Sequence, residues 1–462
     1  MLECSEHAIN FQEVLKMKKE ITSGVIWQQI LLFFFPILFG TFFQQLYNTV
    51  DAVLVGQFVG KEALSAVSGA PAMIVTLIVG FFTGLASGAT VSISQYYGSG
   101  DFKSVSTTTH TAIVFSVLGA IALTIIGYFG SPWFLQLCRV PEDIFQDSLI
   151  YMQIYFLGLL GTFLYNMGAG ILRAIGDSKR PFYFLIVSCL LNIVLDLLFL
   201  IKFQMGVAGA AYATIISQAV SALLTILCLF REEGPWKLEL SKLRMERFYL
   251  LRMLRIGIPA GIQSVTYALS NIIIQASIND FGTDTIAAWG TYGKIDGIFW
   301  MTINSFGIAL TTFVGQNYGA GKYERVRKGI KVTSLMAAAT AIGICSVILI
   351  NARFLFSLFT TDTSVIEIGN RMVQFLMPTY IIYVFIEILS GGLRAMGDTF
   401  IPMLINCGGV CGIRILWTMF VCPLYPTVEM LELNFPISWV ITLSLFIIYY
   451  FVKRKKLMPD LA

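Results

Sequence analysis

The chain has 462 residues, of which 56% are hydrophobic and 13% charged, with a formal net charge of +4. A soluble domain carries about a quarter of its residues as charges, so this composition excludes an ordinary soluble protein and points to an all-α polytopic membrane protein. The small positive charge reflects the sidedness of loop lysines and arginines, and no nucleic-acid partner is expected from it.

A membrane-crossing helix needs about 20 mostly apolar residues. Twelve such runs are expected, near 26–55, 64–96, 107–130, 148–171, 181–201, 207–230, 252–279, 285–316, 331–352, 371–393, 400–422 and 435–452. They divide into an N-terminal segment 1–22, a first lobe 23–230, a mixed-charge linker 231–250 containing Gly234-Pro235, and a second lobe 251–462. Segment 1–22 mixes Glu3, Glu6 and Glu13 with lysines and does not read as a signal peptide. Lysine and arginine crowd the side that holds both termini, the even-numbered loops and the linker. The opposite side has only Lys61, Arg139, Lys202, Arg353 and Arg371. The termini are therefore expected to be cytoplasmic in a multi-pass protein of the cell membrane.

The chain repeats itself. Leu172-Arg173-Ala174-Ile175-Gly176-Asp177 returns as Leu393-Arg394-Ala395-Met396-Gly397-Asp398. Gln95, Tyr97, Gly98 and Gly100 return as Gln316, Tyr318, Gly319 and Gly321, and Pro36 and Asn48 return as Pro259 and Asn271. Six runs per half is an even number, so both halves enter from the same side. The expected architecture is twelve transmembrane helices in two pseudo-symmetric six-helix lobes, as parallel repeats. Each lobe completes the other, and a monomer is expected.

Several motifs that look chemical carry little. The eight cysteines are scattered, mostly within apolar runs, and read as small buried hydrophobes. His7 and His110 are too few for a histidine relay. Gly315–Lys322 has the wrong spacing for a phosphate-binding loop, and its first-half counterpart has no lysine, so it reads as a helix-ending turn. Without a nucleotide loop, an ion gradient is the expected energy source. No reactive constellation appears in the apolar runs, so the chain does not read as an enzyme and no cofactor is expected.

The charges inside the apolar runs are the chemical signal, because an intramembrane charge is costly unless it has a function or a partner. Asp51 and Asp196 have no lysine or arginine within any first-half run. Both sit roughly 9 Å inside the outer boundary at ~1.5 Å per residue. Thr214 reaches similar depth, and Asn192 lies one helical turn from Asp196. These oxygens suit a hard monovalent cation such as Na⁺, for which Asp51, Asn192, Asp196 and Thr214 would be the ligands. The same pair could hold protons, because close carboxylates resist being charged together. The second half carries Lys294, Asp296, Glu387 and Arg414, two of each sign, and these are expected to neutralise one another as a structural or gating network.

These residues resemble the multidrug and toxic compound extrusion (MATE) transporters of prokaryotes over essentially the whole chain. The resemblance rests on Gln44-Gln45-Leu46-Tyr47-Asn48-Thr49-Val50-Asp51, on Val314-Gly315-Gln316-Asn317-Tyr318-Gly319-Ala320-Gly321 and on the paired Leu-Arg-Ala-x-Gly-Asp turns. It implies export of cationic, lipophilic drugs in exchange for Na⁺ or H⁺, with coupling at Asp51, Asn192, Asp196 and Thr214. It places Gln44, Tyr47, Asn48 and Asn166 in the substrate cavity and links Pro36 to bending of the first helix. Tyr267 and Tyr383 stand where some Na⁺-coupled members have acids, which disfavours a cation site in the second lobe. A flippase for lipid-linked oligosaccharides, from the same superfamily, is the alternative.

Overall fold

The computed structural model describes residues 19–458. The expected segment 1–22 falls mostly outside the described residues. Among those described, every regular element is helical. In chain order they are α1 Ile26–Phe58, α2 Lys61–Ser68, α3 Ala70–Ser99, α4 Phe102–Leu137, α5 Glu142–Leu157, α6 Leu159–Ala174, α7 Lys179–Asp196 and α8 Gly206–Arg231. There follow α9 Arg247–Asn279, α10 Thr283–Gly319, α11 Tyr323–Ile350, α12 Ala352–Ser357, α13 Thr363–Leu376, α14 Tyr380–Ala395, α15 Phe400–Ile405, α16 Ile413–Leu416, α17 Val428–Glu432 and α18 Asn434–Leu457. Three π-helical stretches interrupt the array: Leu197–Lys202 directly after α7, and Asn406–Gly412 and Trp417–Val421 on either side of α16.

Among the described residues, ten helical spans are long and apolar enough to cross a membrane, and the pair α5–α6, bent by 46°, makes up to eleven. The chain is thus an all-α, multi-pass membrane bundle. The remaining expected run, 252–279, lies within α9, whose 33 residues are long enough. Gln263, Ser264, Thr266, Asn271 and Gln275 dilute its apolar character. The bend in run 148–171 falls at Gly158, where a Cβ would meet Ile215 Cγ2 at 2.2 Å. Run 371–393 is interrupted at Met377–Thr379, where Pro378 removes an amide donor.

The repeated motifs are helix-ending turns. Gly100 and Gly321 have φ of 76° and 70°, and Gly176 and Gly397 have 103° and 90°, the left-handed region that favours glycine. The amides that follow close the same bond in each copy: Asp101 to Tyr96 O at 3.0 Å, Lys322 to Asn317 O at 2.9 Å, Asp177 to Leu172 O at 2.9 Å and Asp398 to Leu393 O at 3.1 Å.

Contacts divide the chain into two compact units. The first contains Phe35–Gly261; the second contains Gly24–Phe34 and the described residues from Ile262 onward. Compared with the expected lobes, the opening turns of α1 belong to the second unit, and the linker with the opening turns of α9 belongs to the first. The changeovers fall beside Pro36 and Pro259, each inside an unbroken helix.

Within the first unit, Phe82 stacks on Phe163 with centroids 3.5 Å apart, amid Met152, Phe156 and Met167. Helix α9 joins through glycines. Gly84 and Gly88 face Gly257 and Gly261, so two Gly-x-x-x-Gly stretches bring backbone against backbone. Arg252 then donates to Gln95 Oε1 at 2.8 Å and to Tyr96 OH at 2.7 Å. The 231–250 segment is pinned rather than loose. Trp236 and Leu238 are buried, and His110 Nε2 accepts the Glu239 amide at 3.0 Å while Nδ1 lies 2.7 Å from Ser106 O.

Within the second unit, Phe34 stacks on Phe306 at 4.0 Å. Arg325 donates to Gly24 O at 2.8 Å and to Gln29 Oε1 at 2.9 Å. A dense aromatic group, Phe299, Trp300, Tyr380, Tyr383, Phe435 and Trp439, fills its interior.

Candidate functional site

Three helices bring the expected coupling residues of the first unit inside. Asp51 on α1 is 8% exposed, Asn192 and Asp196 on α7 are 1% and 0%, and Thr214 on α8 is 6%. Asp196 is the last residue of α7, immediately before the π-helical stretch. Such wider turns are frequent at functional sites. The two carboxyls lie within electrostatic reach of one another, and the Tyr151 hydroxyl on α5 interacts with both.

Their hydrogen bonding is incomplete. Asp51 Oδ1, both oxygens of Asp196, and both Oδ1 and Nδ2 of Asn192 have no partner among the described residues. Each unsatisfied buried polar atom costs about 1–3 kcal/mol, more when charged. Unpartnered acidic oxygens on two interacting carboxyls, with no cationic side chain pairing with them among the described residues, suit a bound monovalent cation or protons. An apolar cluster of Val55, Ala63, Val67, Tyr151, Ile154, Leu200, Val207, Ala210 and Ala211 adjoins them. It occupies the turn beyond Asp51, the turn beyond Asp196 and the turn before Thr214, and so keeps bulk water away on that side.

The four cavity residues separate. Tyr47 is buried and hydrogen-bonds Gln44 and Gln218. Gln44 and Asn48 are exposed, and half-buried Asn166 donates to Thr162 O on its own helix at 2.8 Å. Sequence reasoning missed Tyr151, Tyr155, Thr162 and Gln218. Gln218 hydrogen-bonds Thr162 and Tyr155 and links α8 to α6 and α5. Its position one turn after Thr214 was the available signal.

The second-unit charges do not pair as expected. Among the described residues no ion pair joins any two of Lys294, Asp296, Glu387 and Arg414. Lys294 is exposed and lies over the Phe359 ring at 5.5 Å. Asp296 Oδ2 accepts from Trp300 Nε1 and Tyr380 OH, each at 2.8 Å. Glu387 approaches Arg394 at 3.9 Å. Arg414, only 3% exposed, lies 4.2 Å over Phe435 and 5.5 Å from Trp439, and its Nε donates to Ser438 Oγ at 3.3 Å. Lys294, Asp296 and Arg414 meet aromatic or hydroxyl groups rather than one another, and Glu387 turns to Arg394 outside the set. A cation–π contact is worth about 0.5–2 kcal/mol, less than the several kcal/mol that burying an ion costs. Tyr267 and Tyr383 hydrogen-bond one another, and Tyr267 OH donates to Asn406 Oδ1 at 3.4 Å.

Comparison with known proteins bears on the family and the fold. The MatE family model matches twice, over residues 36–198 and 259–420. The probable multidrug resistance protein YoeA of Bacillus subtilis is 30% identical over 455 residues, covering 96% of this chain and 98% of its own. The probable multidrug resistance protein YpnP of the same organism is 28% identical, covering 84% and 86%. A solved structure of a MOP superfamily transporter from Pyrococcus furiosus superposes with a TM-score of 0.89 at 20% identity, covering 95% of this chain and 98% of that one. The chain belongs to the MATE family of efflux transporters and is a transport protein rather than an enzyme.

Proposed function

We propose that this chain is a cation-coupled antiporter, driven by Na⁺ or H⁺, that exports cationic lipophilic drugs by alternating access. The observation that carries the reading is the group of unpartnered buried polar atoms on Asp51, Asn192 and Asp196, with no cationic side chain to neutralise them. A cation entering from outside binds Asp51 and Asp196, with Asn192 and Thr214 completing its shell. Neutralised carboxyls repack α1 around Asp51 and Tyr47 and disfavour the bound drug. The coupling is reciprocal, each ligand weakening the other. One inward cation contributes about 2.3 kcal/mol per 100 mV beyond its concentration gradient.

In this reading α9 completes a set of twelve crossings in two six-helix lobes, with both termini cytoplasmic in the cell membrane and a monomer as the working unit. Pro36 is the point at which α1 bends. Gln44, Tyr47, Asn48 and Asn166 contribute to the drug path.

The test is ethidium efflux from proteoliposomes under a Na⁺ gradient with pH clamped, then under a pH gradient alone. Efflux under one gradient that is lost in Asp196→Asn supports the reading and names the ion. Efflux in the mutant equal to wild type removes Asp196 from coupling.

A further inference from the structure

Arg414 sits where the second repeat departs in charge from the first. Pro181 of α7 corresponds to Pro402 of α15, 221 residues on, so Asn192 and Asp196 correspond to Ile413 and Trp417. Asp51, at the 223-residue offset of Pro36 and Pro259, corresponds to Ile274. Both carboxylates of the first unit are therefore absent from the equivalent place in the second, and a guanidinium stands one residue from Asn192's counterpart. The π-helical stretch is kept: Leu197–Lys202 follows Asp196, and Trp417–Val421 follows α16. At the place equivalent to Asn192 and Asp196, the second unit keeps the wide turn and carries a cation where the first carries an acid.

A guanidinium cannot discharge itself by losing a proton. Buried Arg414 has flat aromatic contacts with Phe435 and Trp439 and one bond to Ser438, while its Nη2 has no partner among the described residues. Thr418 Oγ1, one turn along the same helix, is also buried and unpartnered. Tyr383 interacts with both Arg414 and Glu387, while among the described residues no ion pair joins Glu387 to Arg414. One N–H edge of a planar fork, two aromatic walls and a free hydroxyl match an aryl or alkyl carboxylate, which forks onto guanidinium while its apolar body stacks on the rings.

We infer that Arg414 marks a subsite in the second unit that holds the carboxylate of an amphiphilic, zwitterionic substrate. This rests on the drug-export reading above. Lipophilic cations that lack an acid would then be handled without Arg414, and zwitterions would use it.

Two dyes that differ only in esterification test this: rhodamine 110, with a free carboxylate, and its methyl ester rhodamine 123. Binding of each to detergent-purified protein is read by fluorescence polarisation. A charge-assisted bond predicts that wild type prefers rhodamine 110 by about tenfold. That ratio should fall to near one in Arg414→Met and take an intermediate value in Arg414→Lys. Should Arg414→Met not fold, benzoate competition on wild type decides, with displacement of rhodamine 110 but not rhodamine 123 expected. Equal affinities in wild type, an unchanged ratio in Arg414→Met, or benzoate displacing both dyes or neither would overturn the subsite. If neither dye binds while ethidium efflux persists, the subsite falls and drug export stands. If ethidium efflux is absent as well, both fall.

Discussion

Gly84 and Gly261 meet without side chains between them: a Cβ on Gly84 would lie 2.3 Å from the Gly261 amide nitrogen. One turn on, a Cβ on Gly88 would lie 2.2 Å from Met253 O. Backbone blocks both approaches, so a larger residue cannot be absorbed by a rotamer change. Gly88→Val is expected to destabilise the protein by on the order of 3 kcal/mol, the upper range for overpacking, read as a lower Tm in detergent. Gly119→Ala, whose Cβ would have only Phe82 Cε2 at 3.8 Å, should leave Tm within a degree or two. Equal losses in the two variants would mean that the α3–α9 contact is not close-packed.

Asp51→Asn and Asp196→Asn keep shape and remove charge at two buried positions. Each should abolish gradient-driven ethidium efflux, with expression and Tm at or above wild type, since removing an unpaired buried charge relieves a cost. Asn192→Ala and Thr214→Val should raise the Na⁺ concentration needed for half-maximal efflux several-fold if the coupling ion is Na⁺. They should change little if it is H⁺. Dose–response curves in proteoliposomes separate these outcomes.

Arg252 ties α9 to α3 through Gln95 and Tyr96, and Arg325 ties the start of α1 to α11 through Gly24 and Gln29. A hydrogen bond to a charged group contributes roughly 1.5–3 kcal/mol. Arg252→Ala should therefore cost about 2 kcal/mol, and Arg252→Lys should recover only part, because an ammonium cannot reproduce the fork. Thermal unfolding of both variants checks the order.

His110 holds the 231–250 segment through Nε2, which accepts from the Glu239 amide, while Nδ1 donates to Ser106 O on its own helix and fixes the ring. His110→Ala removes the acceptor for Glu239. Limited trypsinolysis should then cut at Lys237, Lys242 or Arg244 several-fold faster than in wild type. Unchanged cleavage would show that burial of Trp236 and Leu238 is sufficient by itself to hold the segment.

Local chemistry was legible in the chain. Hydropathy marks a membrane bundle because a crossing helix must be apolar along its own length. The repeated glycine turns can be read because the left-handed φ of Gly176 and Gly397 is a property of one residue. Asp51 and Asp196 stand out because no lysine or arginine shares their runs. Partnership across distant segments was decided only by tertiary structure. Opposite signs among Lys294, Asp296, Glu387 and Arg414 suggest pairing, yet helix rotation turns Arg414 to Phe435 and Asp296 to Tyr380. The mixed-charge linker looks loose until Trp236 is seen to be buried. Tyr151 gains its meaning from packing against two carboxylates more than 40 residues away on either side. Composition and spacing determine what each segment must bury; which segment covers it depends on how helices far apart in sequence rotate and approach.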